Sequence, residues 1–182
     1  MSNNKCLKIV LFGPESSGKT TLANHLAEHY KTKWVPEFAR DYLQQKWNEK
    51  NEVCALEDLP IIVRGQNSLE NKILKKSNKV IFCDTNAVVT QIWSQTHFNG
   101  YCSPEILKEA EQSKHDYYLL TNIDVPWQKD DLRDRPNYRK KMLKVFQETL
   151  ETYNFPYKLI SGDINCRLKS SIEIIDKLIL NP

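Results

Sequence analysis

Glycine is scarce in this chain. Five in 182 residues leave little room for flexible linkers, and the length suits one domain with a single core, so residues 1–182 are expected to fold as one unit. No internal repeat or low-complexity tract interrupts the sequence. No stretch approaches the roughly 18 apolar residues of a membrane helix, which argues against a membrane span. The N-terminal Met-Ser-Asn-Asn-Lys-Cys lacks the apolar core of a secretory signal, so a cytoplasmic location is expected. The cysteines Cys6, Cys54, Cys83, Cys102 and Cys166 are odd in number, far apart and without a C-x-x-C pair, which excludes a disulfide framework and a zinc ribbon. Cys83, inside an apolar run, reads as a small buried hydrophobe. Charge of one sign is also in short supply. A net +3 is too little to argue for a dedicated nucleic-acid surface.

Short apolar runs are present instead. Leu7–Phe12, Lys33–Pro36, Lys79–Cys83, Tyr117–Thr121 and Tyr157–Ile160 read as strands, and cores such as Val80-Ile81-Phe82-Cys83 are continuous, as in strands covered on both faces. Helical spacing lies between and after them: Leu22, Leu26, Tyr30; Leu143, Phe146, Leu150; and Ile172, Ile175, Leu178, Ile179. Ser103 before Pro104 and Glu105 marks a helix start, a capping oxygen followed by a residue with no amide to leave unpaired. The alternation predicts an α/β domain with a mostly parallel five-stranded sheet flanked by helices.

The first strand runs into Gly13-Pro14-Glu15-Ser16-Ser17-Gly18-Lys19-Thr20, which matches G-x-x-x-x-G-K-[ST] at every fixed position, with a helix after it. Gly13 and Gly18 let the backbone curl so that successive N–H groups, through Glu15, Ser16, Ser17 and on to Thr21, face phosphate oxygens. The positive end of the following helix strengthens that field. Lys19 is expected to reach the β- and γ-phosphates of ATP, and the Thr20 hydroxyl to hold Mg²⁺. Asp84, ending Val80-Ile81-Phe82-Cys83-Asp84, supplies the second metal-shell oxygen expected beside such a loop.

The acceptor of the terminal phosphate is the next question. Thr85 follows Asp84 where a water-activating ATPase motor would carry glutamate, and Ala87 stands where a D-x-x-G switch would need glycine. The nearest guanine reader, Thr121-Asn122-Ile123-Asp124, has Ile123 in place of lysine. Transfer to a small hydroxyl compound remains. Trp34-Val35-Pro36-Glu37-Phe38-Ala39-Arg40 ends the second strand, at the crevice of a doubly wound sheet. Glu37 is placed there to take a proton from a hydroxyl or to bind ribose oxygens, and Arg40 to contact phosphate. Residues 124–139 follow the fourth strand and carry Arg133, Arg135 and Arg139, an arginine-rich lid that would stabilise equatorial charge and shut water out. Arg133 and Arg139 are the expected catalytic contacts.

These motifs together, "GPESSGKTTLA", "VPEFARDYL", "FCDTNAVVTQIW" and "DVPWQKDDLRD", resemble the ribosylnicotinamide kinase domain of the NadR family, among the P-loop kinases, from about Lys8 to Ile179. The resemblance implies ATP-dependent phosphorylation of the 5′-hydroxyl of nicotinamide riboside, with Mg²⁺, to give nicotinamide mononucleotide. Full-length members carry a regulator and an adenylyltransferase domain besides, and the likeness implies neither activity here. A flat cationic nicotinamide ring would be held by an aromatic face, for which Trp93, Tyr101 and Trp127 are candidates. Asp84, Thr85 and Asn86 are candidates for the ribose hydroxyls, and Ser161–Asn165 for passage of adenine. A kinase for another nucleoside or nucleoside monophosphate, and an ATP-binding regulatory module with slow hydrolysis, stay open as alternatives.

Two patterns are set aside. His25-Leu26-Ala27-Glu28-His29 has a zinc-protease spacing, but it lies on the helix that leaves the phosphate loop, and both histidines read as solvent-facing. Arg139-Lys140-Lys141 with Lys144 reads as the solvated face of an amphipathic helix rather than an RNA contact.

Overall fold

The computed structural model describes residues 6–130, 132–133 and 136–180. Five short runs pair as one parallel sheet: β1 (Leu7–Phe12), β2 (Trp34–Val35), β3 (Val80–Asp84), β4 (Tyr117–Thr121) and β5 (Tyr157–Ile160), in the order β2-β3-β1-β4-β5. Seven α-helices accompany them among the described residues: α1 (Lys19–His29), α2 (Phe38–Lys50), α3 (Asp58–Leu74), α4 (Ala87–His97), α5 (Pro104–Glu111), α6 (Arg139–Thr152) and α7 (Ile164–Leu180). No helix among the described residues is long and apolar enough to cross a membrane.

Because successive strand residues face opposite ways, the continuous apolar runs supply two cores at once. Val10, Phe12, Ile81, Cys83, Tyr118 and Leu120 face α4 and α6, whose Val88, Ile92, Phe146 and Leu150 are buried against them. Ile9, Leu11, Val80, Phe82 and Leu119 face α1 and α7 through Leu22, Leu26 and Ile175. A third, smaller cluster gathers Leu59, Ile62 and Val63 of α3 with Ala87 and Ile106. Ser103 caps α5 as expected, accepting a hydrogen bond from the Ile106 amide at 3.4 Å.

The strand expected at Lys33–Pro36 contracts to two residues at the sheet edge. Pro36 has no N–H for the ladder, and the chain turns at Glu37 into α2. Helix α2 escapes a search for apolar stripes because none of its residues is buried. The strand order sets the position of the ligand crevice. The chain leaves β1 between β3 on one side and β4 on the other, so the carboxyl ends of β1 and β3 open together where such sheets take ligands.

Candidate active site

The loop after β1 is shaped by what lies behind it. Gly13 sits at φ +140°, and a Cβ there would come within 2.7 Å of Thr121 Oγ1, so both conformation and space demand glycine. Ser17 is fully buried, with Oγ donating to the Pro14 carbonyl at 2.7 Å and pairing with Thr121 Oγ1 at 2.6 Å. Its hydroxyl therefore shapes the loop from behind. Arg167 of α7, 1% exposed, finishes the support. Its guanidinium donates to the carbonyls of Ser17 (2.5 Å), Gly162 (2.8 Å) and Asn122 (2.9 Å) and pairs with Asp124. Sequence reasoning missed this residue. The available signal was its place on the inward stripe Arg167, Ser171, Ile175, where a charge needs a dedicated partner.

In front of the loop, Lys19 Nζ lies over the Gly13 and Pro14 carbonyls at 3.0 and 2.8 Å. Thr20 Oγ1 donates to Asp84 Oδ2 at 2.5 Å. Asp84 is 1% exposed and its Oδ1 is buried without a hydrogen-bond partner. A buried carboxylate oxygen left over beside a hydroxyl is the all-oxygen donor set that a hard divalent cation takes, so these residues fit Mg²⁺. Burial pushes the Asp84 carboxyl above its ordinary value, against the charge of Lys19, the Thr20 hydrogen bond and the charge of Arg40.

Glu37 enters the same cleft from the start of α2 without capping that helix. Burial and the neighbouring Asp84 charge push its carboxyl up to about 7, with Lys19, Arg40 and Arg133 pulling the other way. Two carboxylates and three cations thus share one electrostatic neighbourhood. Behind Glu37 the strand end is pinned by Gln66 of α3, which accepts from the Phe38 amide at 2.8 Å and donates to the Pro36 carbonyl at 3.3 Å.

The cleft has a volume of about 830 Å³. Gly13, Glu15, Ser16, Ser17, Gly18, Lys19, Thr20 and Thr21 form one wall, and Glu37, Arg40, Thr85, Trp93 and Arg133 the others. Leu43 of α2, Ile62 of α3 and Phe98 just after α4 add apolar lining. Ile164, in the loop considered for adenine, also borders it. The segment after β4 closes over the phosphate loop. Ser16 Oγ accepts from the Gln128 amide at 2.8 Å, and Asp130 gathers Arg40 (2.5 Å) and Arg133 (3.2 Å).

Several expected site residues are elsewhere. Asn86 is 3% exposed and is not among the residues lining the cleft; its Nδ2 donates to Tyr118 Oη at 3.0 Å and Ser113 Oγ at 3.3 Å while its Oδ1 is buried without a hydrogen-bond partner, so the expected ribose contact is corrected. Trp127 lines a small adjoining hollow instead of the cleft wall, with the Arg139 guanidinium 5.9 Å from its ring centre. Arg139 donates to the Val125 and Ser16 carbonyls at 2.8–3.0 Å, bracing the loop's outer side, and is not among the residues that line the cleft. Tyr101, half exposed, is not among the lining residues. Arg135 lies outside the described residues. The two set-aside histidines are surface groups: His25 is 3.9 Å from Glu28, and His29 packs edge-on against Tyr30.

Comparison with known proteins agrees with this geometry. The chain is 27% identical over 173 residues to the trifunctional NAD biosynthesis/regulator protein NadR of Escherichia coli K12, covering 93% of this chain and 42% of that protein. It therefore spans less than half the length of that relative. In three dimensions it matches the NadR protein solved in complex with NR at a TM-score of 0.78 and 18% identity, over 94% of this chain and 51% of that one. It matches deoxyadenosine kinase from M. mycoides at a TM-score of 0.69 and 12% identity, over 94% and 100%. These structural likenesses speak for a shared fold. With a family model for the AAA domain matching residues 8–167, nearly the whole chain and all five strands, the chain belongs to the AAA domain family.

Proposed function

We propose that this protein is an ATP-dependent kinase that transfers the γ-phosphate to the 5′-hydroxyl of nicotinamide riboside, giving nicotinamide mononucleotide and ADP. The observation that carries this reading is Glu37, a carboxyl pushed up to about 7, in a cleft that the phosphate loop and the half-buried Trp93 also line. A group that ionises close to the working pH is well matched to accept a proton from a hydroxyl. Glu37 takes the hydroxyl proton as the new O–P bond forms, and the bond between the γ-phosphorus and the β-γ bridging oxygen breaks to release ADP. Lys19, Arg40 and Arg133 stabilise the charge on the transferring group. Mg²⁺ held by Thr20 and Asp84 would supply further neutralisation of the phosphates. Trp93 offers the nicotinamide cation a π face. The contacts of Gln128 and Asp130 close the segment after β4 over the loop and keep water from competing.

The sequence likeness to NadR supports the nicotinamide acceptor. The fold likeness to deoxyadenosine kinase favours a second reading, a kinase for another nucleoside, which the same residues serve. ADP release, coupled to a reporter enzyme and measured across a nucleoside panel, separates the two. Strong stimulation by nicotinamide riboside is expected. Preferential stimulation by deoxyadenosine, uridine or thymidine would select the second reading, and ATP hydrolysis indifferent to every acceptor would overturn both.

A further inference from the structure

Cys83 does not sit among hydrocarbon alone. Its Sγ is 3.6 Å from Glu70 Oε2 of α3, and His115 Nε2 lies 3.0 Å from that same oxygen. Cys83 is fully buried, and the side chains of Glu70 and His115 are 8% and 9% exposed. Among the described residues this is the one group of three ligand-type side chains whose donor atoms all lie within 4.8 Å of one another. We propose that Glu70, Cys83 and His115 form a binding site for a borderline-soft divalent cation of the zinc class, separate from the nucleotide cleft.

Zinc bonds of roughly 2.0–2.3 Å arranged tetrahedrally put their donors roughly 3.3–3.8 Å apart. The observed separations of 3.0 and 3.6 Å lie close to that spacing and the third pair is within 4.8 Å, so small side-chain shifts would set three of the four tetrahedral positions and leave the fourth to a water. One sulfur, one imidazole nitrogen and one carboxylate oxygen suit such an ion, whereas the all-oxygen pair Thr20 and Asp84 suits Mg²⁺. The surroundings also orient the ligands. His115 Nδ1 is 2.7 Å from Ser113 Oγ and 3.4 Å from Asn86 Nδ2; when Nδ1 carries the hydrogen it donates to the nearer Ser113 Oγ, and Nε2 keeps its lone pair for the metal. Glu70 Oε1 accepts from Lys8 Nζ at 2.8 Å, which leaves Oε2 to the site. Binding shifts the imidazole hydrogen from Nε2 to Nδ1 and releases the thiol proton to solvent. The bound ion ties α3, β3 and the segment before β4 together, one residue behind Asp84.

The test uses the whole chain without an affinity tag, stripped of metal by a chelator and titrated with Co²⁺ in excess Mg²⁺. One equivalent of Co²⁺ is expected to produce a thiolate-to-cobalt charge-transfer band. Cys83→Ser and His115→Gln are each expected to abolish it, and Ser113→Ala to weaken Co²⁺ binding by about tenfold. Zn²⁺ is expected to displace the cobalt and to raise the Tm of the parent protein. Because Cys83 is in the core, His115→Gln carries the decision if Cys83→Ser does not fold. No band at saturating Co²⁺ on folded protein, or a band unchanged in either variant, overturns the proposal.

Discussion

Burial and the Asp84 charge push the Glu37 carboxyl from an ordinary value of about 4.5 up to about 7 in the folded protein. Between those values the unfolded chain has already released its proton while the folded protein holds it. Unfolding therefore becomes easier as pH rises from about 4.5 to 7, and the penalty stays in full above that. Asp84 from β3 opposes ionisation, and Lys19, Arg40 and Arg133 favour it. Glu37→Gln is expected to remove the penalty: a higher Tm than the parent at pH 8, no gain at pH 4, and severe loss of phosphoryl transfer with ATP binding kept. Thermal unfolding at the two pH values, beside turnover and nucleotide binding, checks this, and a lower Tm at pH 8 would contradict it. Lys19 Nζ, held over the Gly13 and Pro14 carbonyls, is the proposed partner of the transferring phosphate. Lys19→Ala is expected to cost about 3–4 kcal/mol of transition-state stabilisation, read from kcat/KM, with unchanged circular dichroism.

At the scale of elements, the site depends on how α2 and α7 are held. Gly65 on α3 faces α2 so closely that a Cβ would lie 2.2 Å from the Phe38 ring. Phe38 follows Glu37, so displacing the ring moves the carboxylate. Gly65→Ala is expected to destabilise by about 1–3 kcal/mol despite alanine's better helix propensity, and to lower turnover further than ATP affinity. Arg167 links α7 to three carbonyls and Asp124 behind the phosphate loop. Arg167→Ala leaves those acceptors and a carboxylate without their partner, and the expected loss is about 3–5 kcal/mol, measured by denaturant unfolding. Nucleotide should bind it more weakly, since the loop loses its backing.

Across the whole molecule, contacts distant in the chain join the walls of the crevice. Asp130 holds Arg40 from α2 and Arg133 from the segment after β4, joining two walls of the cleft. Asp130→Asn keeps the shape but drops the charge that gathers both arginines. Acceptor-independent ATP hydrolysis is expected to rise relative to phosphoryl transfer, because water gains entry. The ratio of ADP released without acceptor to ADP released with it checks this, and an unchanged ratio would leave the segment as structure only.

The phosphate loop and the position of the five strands, the second shorter than expected, were legible in the chain because each depends on neighbours in sequence. A curled backbone needs glycine at set spacing, and a strand buried on both faces needs an unbroken apolar run. Glu37 was legible through its position at a strand end. Sequence could not decide the direction of side chains whose partners are distant in the chain. Asn86 and Trp127 look like ligands for a nucleoside, yet Tyr118 and Arg139 engage them away from the cleft. Arg167, 150 residues beyond Ser17, becomes part of the loop only when α7 packs against the sheet. Local conformation is set by local residues; the side on which a polar group finds its partner is set by the packing of all the elements together.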